Sequence, residues 1–177
     1  MPIPPSPRAR RALRLSALCV LLAGCSGVGT SGDDSAFRAD YTAARQALEA
    51  GDYPRATRGY EAILDAGSPV DDRVRLEYAH TLLRADRFAD AATAAGDLLQ
   101  SDSDSVRASA RSVRGTARHE AAGVRRADGA DTAELIPLLE AAQADIRRFL
   151  SDHPDLDTGG AMQSRATSIE TELAALR

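Results

Sequence analysis

The chain has no lysine: all 22 of its basic side chains are arginine. An arginine-only set of cations reflects a GC-rich genome and carries little functional weight. Long hydrophobic runs are missing too. The longest, Leu15 to Ala23, covers nine residues, whereas a helix crossing a bilayer needs ~20. Catalytic signatures are equally scarce. There is no phosphate-binding glycine loop and no nucleophile elbow around a serine. His119-Glu120 is followed by Gly123 rather than a second histidine, so the zinc-protease helix motif is absent. Asp102-Ser103-Asp104 lacks the glycine and terminal glutamate of a calcium loop and reads as a turn between helices. His80, His119 and His153 are read as solvated or partly buried side chains. No catalytic residue, metal ligand or cofactor is therefore expected, and the chain is not read as an enzyme.

What is present begins with Arg8, Arg10, Arg11 and Arg14, then the short apolar run, then Leu22-Ala23-Gly24-Cys25. Basic start, hydrophobic stretch and small residues before a cut site make the pattern of a secretion signal. The arginines stay on the cytoplasmic side. A cysteine directly after the predicted cut resembles the lipobox of bacterial lipoproteins, in which that thiol is acylated and becomes the new N-terminus. The resemblance implies a signal peptide over 1–24 and lipid on Cys25, with acyl chains contributing ~0.8 kcal/mol of membrane binding per buried methylene. Processing would also remove Cys19, so no disulfide is expected.

Removing 1–24 takes four arginines and no acid, leaving 18 basic against 26 acidic side chains, a net charge of −8. Such a domain is a poor candidate for nucleic acid and for a polybasic contact with anionic lipid. Ser26 to Ala36 is glycine, serine and aspartate with little to bury, and reads as a flexible tether on the order of 15–20 Å long. In lipoproteins of bacteria with two membranes, a residue other than aspartate after the acylated cysteine implies the outer membrane, facing the periplasm. Ser26 fits that rule; in a source with one membrane the anchor would sit on the outer face of the cytoplasmic membrane.

From Phe37 onward the composition is helical, rich in alanine, arginine, leucine and glutamate and poor in β-branched runs. Gly51-Asp52-Tyr53-Pro54-Arg55-Ala56 aligns with Asp86-Arg87-Phe88-Ala89-Asp90-Ala91, 35 residues later. Ala44 and Leu48 correspond to Ala79 and Leu83. This resembles the tetratricopeptide repeat, a helix–turn–helix unit. It implies an all-α solenoid of about three repeats over 37–177, with repeats at about 37–70 and 72–105, the family's closing proline being displaced to Pro69 in the first. Asp52 is expected to cap a helix carrying Pro54 in its first turn. Ser105 to Ala127 reads as one long helix stopped at Asp128-Gly129. Asp131 and Glu134 have capping-box spacing, placing the next helix start at 132–134, ahead of Pro137. That unit ends Phe149-Leu150-Ser151-Asp152-His153-Pro154, which is similar to the repeat ending of outer-membrane barrel-assembly lipoproteins and of cell-division coordinator proteins. Met162, Ala166, Ile169, Leu173 and Leu176 form one apolar stripe, expected as a C-terminal capping helix.

In tetratricopeptide proteins the first helix of each repeat lines a concave groove. The resemblance implies a partner-binding groove at Arg38, Tyr41, Arg45 and Glu49 in the first repeat and Arg73, Leu76, His80 and Arg84 in the second. The Lys/Asn pattern of the family's chaperone-tail clamp is absent. A second basic face is Arg107, Arg111, Arg114, Arg118 and Arg125, one stripe on a helix. It would meet either an acidic partner or the protein's own carboxylates. The expectation is a lipid-anchored protein–protein adaptor in the cell envelope, binding a protein or peptide during assembly of outer-membrane proteins, a pilus or a secretion apparatus. No nucleic acid and no small-molecule substrate is expected. The rivals are an envelope enzyme with an unrecognised site and a passive structural subunit. A deep pocket gathering His80 or His119 with carboxylates would favour the enzyme.

Overall fold

The computed structural model describes residues 31–67 and 70–177. The expected signal peptide, Cys25, the first residues of the tether and Pro69 lie outside them. The chain divides into units 1–35 and 36–177, and the architecture below is that of the second. Among the described residues it is all-helical, with no strand, and seven α-helices pack in a row. They are α1 (Ser31–Glu49), α2 (Tyr53–Ala66), α3 (Asp71–Arg84), α4 (Phe88–Asp97), α5 (Asp104–Ala127), α6 (Thr132–Asp152) and α7 (Ala161–Leu176). No helix among the described residues is long and apolar enough to cross a membrane.

Helix α1 begins earlier than expected: Ser31 to Ala36, read as tether, are helical. Elsewhere the ends follow local chemistry. Asp52 accepts a hydrogen bond from the Arg55 amide at 3.2 Å and caps α2, with Pro54 just inside. Ser103 caps α5 through the Val106 amide. Asp131 caps α6 through the Glu134 amide at 3.0 Å, and α6 starts at Thr132. The reciprocal half of that capping box is replaced, because the Glu134 carboxylate turns to Arg125.

Three turns share one design. Gly51, Asp86 and Gly129 adopt left-handed backbone, with φ of 77°, 58° and 87°. Each donates its amide to the carbonyl three residues back, and the next residue donates to the carbonyl five back: Asp52 to Ala47, Arg87 to Leu82, Ala130 to Arg125, all at 2.9 Å. This Schellman arrangement satisfies helix-end carbonyls that would otherwise lack partners. The same turn therefore joins α1 to α2, α3 to α4 and α5 to α6. Only the middle one uses a residue with a side chain.

From α2 onward each helix packs on the next, α3 also touches α5 and α5 touches α7, while α1 packs through the first cluster of the core. The Arg45–Glu77 bridge at 3.0 Å joins α1 to α3 in the same way. The core follows this order as adjoining clusters. Ala44, Ala47, Leu48, Ala56, Tyr60, Ile63 and Val74 join α1, α2 and α3. Ala79, Ala95 and Val113, with Leu82, Ala91 and Ala117 beside them, join α3, α4 and α5. Ala122, Leu139, Ala142, Ile146, Ala166, Ile169 and Leu173 join α5, α6 and α7. Small residues set the closest approaches. A Cβ at Gly59 would meet the Ala44 Cβ at 2.8 Å, and one at Gly115 would meet Ile146 at 2.7 Å. The expected capping stripe is buried at Ala166, Ile169 and Leu173, with Met162 and Leu176 half-buried around it.

Candidate partner-binding face

Helices α3, α5 and α7 touch in turn, and the Arg45–Glu77 pair links α1 to α3, so residues around that pair form one surface. On α3, Arg73, Glu77, His80 and Arg84 are spaced 4, 3 and 4 and share a face. On α1, Arg38, Arg45 and Glu49 do the same. Arg45 ties the two helices together, bonding Glu49 at 3.2 Å and Glu77 at 3.0 Å. Its pKa is raised, first by the Tyr41 hydroxyl beside it and then by Glu49 and Glu77. The Tyr41 hydroxyl is nonetheless buried without a hydrogen bond, so it acts here by proximity.

Arg38, Arg73, His80 and Arg84 are exposed, as a binding face requires. His80 reaches solvent, yet its pKa is lowered, by desolvation first, with Arg84 lowering it and Glu77 raising it. Tyr41 is half-buried, stacked on Phe37 at 5.9 Å and edge-on to Tyr60 at 6.1 Å. Leu76 does not belong to this face. It packs with Leu83 and Ala94 on the Ala79–Ala95–Val113 cluster and serves the α3–α5 contact.

The second basic face is resolved by α6. Arg114 holds Asp145 through two nitrogens, one bond at 2.8 Å, and Arg118 reaches the same carboxylate at 2.6 Å. Asp145 is 5% exposed. Arg111 lies 4.0 Å from Asp152, Arg125 pairs with Glu134, and Arg107 with Asp104 at 2.9 Å. The stripe meets the protein's own acids, with Arg107, Arg111, Arg114 and Arg118 half-buried and Arg125 exposed. The opposite side of α5 meets its odd-numbered neighbours: Val113 packs with Ala79, and Thr116 approaches Met162.

A network that sequence reasoning missed docks α7 onto α5. His119 Nε2 lies 2.7 Å from Glu172, and its Nδ1 lies 2.9 Å from Arg165. Arginine only donates, so Nδ1 accepts and Nε2 carries the hydrogen that Glu172 receives. Arg165 also bonds Glu120 at 2.8 Å, and Arg126 bonds Glu172 at 2.7 Å. Burial alone would raise the pKa of Glu172, but the bonds from His119 and Arg126 outweigh it and the net direction is down. The histidine joins two helices, and the Ser168 hydroxyl donates to the same Glu172 carboxylate at 3.2 Å. His153 lies against Phe149, 3.5 Å from Asp104 without a hydrogen bond.

A cleft of about 410 Å³ opens between the start of α2 and the α3–α4 turn, lined by Tyr53, Pro54, Thr57, Arg58, Glu61, Ala85 and Arg87. At its edge the Tyr78 hydroxyl donates to Glu61 at 2.8 Å, and burial first, that bond second, push its pKa up to about 12. The cleft holds neither His80 nor His119. Among the described residues, no group of three histidine, cysteine, aspartate or glutamate side chains is placed to hold a metal ion.

No family model, no curated protein and no solved structure matches the chain.

Proposed function

We propose that this chain is a lipid-anchored helical-repeat protein of the bacterial cell envelope, acting as an adaptor that docks a partner polypeptide on the common face of α1 and α3. The repeat reading is supported by the recurrence of one Schellman turn at Gly51, Asp86 and Gly129 and by the contacts of α3 with α5 and of α5 with α7. Both are what stacked helix–turn–helix units of the tetratricopeptide kind require. The third unit is longer than the first two, with 24 residues in α5 and 21 in α6. The anchor reading rests on Leu22-Ala23-Gly24-Cys25 and its basic, apolar approach.

One observation carries the docking reading: Arg38, Arg73 and Arg84 stand exposed on one face without an ion pair among the described residues, in a chain whose acids outnumber its bases. A photo-crosslinking residue at position 84 in living cells tests it, set against one at position 148 on α6. Position 84 is expected to capture envelope proteins that position 148 does not. Arg38→Ala with Arg84→Ala is expected to reduce that capture in membranes, probed at position 80. Equal capture at 84 and 148, or capture unchanged by the double substitution, would refute the docking face. Arg45 is unsuited to this test, because its loss would also break the bridge to Glu77.

A further inference from the structure

Ion pairing divides the chain sharply. Each arginine from Arg87 to Arg177 has a carboxylate within 4.0 Å. Among the described residues, Arg38, Arg55, Arg58, Arg73, Arg75 and Arg84 have none, and all lie on α1, α2 or α3. This is not for want of acids nearby, since Asp34, Asp40 and Asp65 stand exposed on α1 and α2. The fold pairs each arginine from Arg87 onward and, among the described residues before it, pairs Arg45 alone.

Three of the open arginines share the α1–α3 face. Arg73 and Arg84 are eleven residues apart on one helix, about 16 Å along its axis. That is too far for both guanidinium forks to grip one phosphate or one carboxylate. At about 3.3 Å per residue, an extended chain covers the same distance in about five residues. Arg38 lies on the neighbouring helix, seven residues before Arg45, whose bridge to Glu77 fixes the two helices together. Between these cations Arg45 is shared by Glu49 and Glu77, and His80 stands exposed. The surface therefore offers separated cationic forks with a largely balanced middle. Guanidinium groups suit carboxylates in paired hydrogen bonds.

We infer that this face takes an extended acidic segment of a partner polypeptide, with aspartate or glutamate side chains about four to six residues apart received by Arg73 and Arg84 and a further acid by Arg38. The inference rests on the docking reading above and names its ligand class. The charge of the face is opposite to that of the chain as a whole, so the face provides local attraction and the surrounding acids restrict where such a segment can settle.

The test uses the full chain in detergent and a fluorescein-labelled twelve-residue peptide of alternating glutamate and alanine, with glutamine and lysine analogues. Fluorescence anisotropy is expected to show binding of the glutamate peptide alone, weakened by added salt. Arg38→Ala, Arg73→Ala and Arg84→Ala together are expected to weaken it about tenfold. Arg55→Ala with Arg58→Ala, which removes open arginines from α2, is expected to leave it unchanged. Helical circular dichroism should be the same in all, because none of these side chains has an ion-pair partner to lose. Equal binding of the glutamine analogue, preference for the lysine analogue or an equal loss in the α2 variant would overturn the inference. Absence of glutamate-peptide binding alongside persistent crosslinking at position 84 would overturn the ligand class and leave the docking face standing. Loss of both would remove the docking face too.

Discussion

Replacing Asp145 with alanine is the sharpest test of the packing between α5 and α6. Its carboxylate is 5% exposed and holds both Arg114 and Arg118, whose side chains are 21% and 29% exposed. Removing the acid leaves two guanidinium groups side by side with no counter-charge. Breaking a buried ion pair costs about 3–5 kcal/mol. Water can reach part of both arginines here, which puts the expectation at the lower end, about 3 kcal/mol. For a chain of this length each kcal/mol moves the melting temperature by about 2–4 °C, so a fall of about 6–12 °C is expected. Thermal and urea unfolding followed by helical circular dichroism would measure it. The triple change Asp145→Leu, Arg114→Met and Arg118→Met should recover most of the loss, since an apolar replacement removes the uncompensated charge. A cost below about 1 kcal/mol, the range of exposed pairs, would refute the reasoning that this carboxylate is a buried centre. Loss of the exposed Arg147–Glu170 pair, with side chains 58% and 69% exposed, should have almost no effect.

Two further outcomes follow from the turns and from α7. Asp86→Gly should stabilise the chain by about 0.5–1 kcal/mol, because Asp86 holds a φ of 58° at the position where the other two turns use glycine; a lower melting temperature would contradict the shared-turn account. Glu172 and Asp157 both have lowered pKa values, Glu172 through bonds from His119 and Arg126 that outweigh burial, and Asp157 through the Met162 and Gln163 amides. Below their ordinary values, near pH 4, the unfolded chain takes up protons before the folded one does. Stability should therefore be full above that pH and be lost as pH falls through the folded values. Glu172→Gln should flatten part of this slope, and hydrogen exchange in α7 should rise first; a slope unchanged by the substitution would contradict the role given to that network.

Helix ends were legible where a single side chain decides them. Asp52 and Asp131 can each satisfy an amide three residues on, and Asp128-Gly129 breaks a helix, so the starts of α2 and α6 and the end of α5 follow from neighbours in sequence; the Ser103 cap of α5 was read only as part of a turn. Asp86 was legible only by its 35-residue offset from Gly51. The start of α1 was not, because Ser31 to Ala36 has the composition of a tether and the local signal favours coil. Nor was the fate of the arginine stripe. Spacing puts Arg107 to Arg118 on one side of α5, but only the crossing of α6 decides that Asp145 and Asp152 face it. Leu76 was assigned to the groove by its place in the repeat, and the contact with α5 draws it inward. His119 stood out in sequence only as a histidine without a metal partner, since Arg165 and Glu172 come from a helix more than 40 residues on.

The account as a whole depends on attachment at Cys25, and intact-mass analysis of the chain extracted from membranes tests that most directly. A species beginning at Cys25 and carrying fatty acyl mass is the predicted result. A species that retains Met1, or a Cys25 N-terminus with a free thiol, would contradict it.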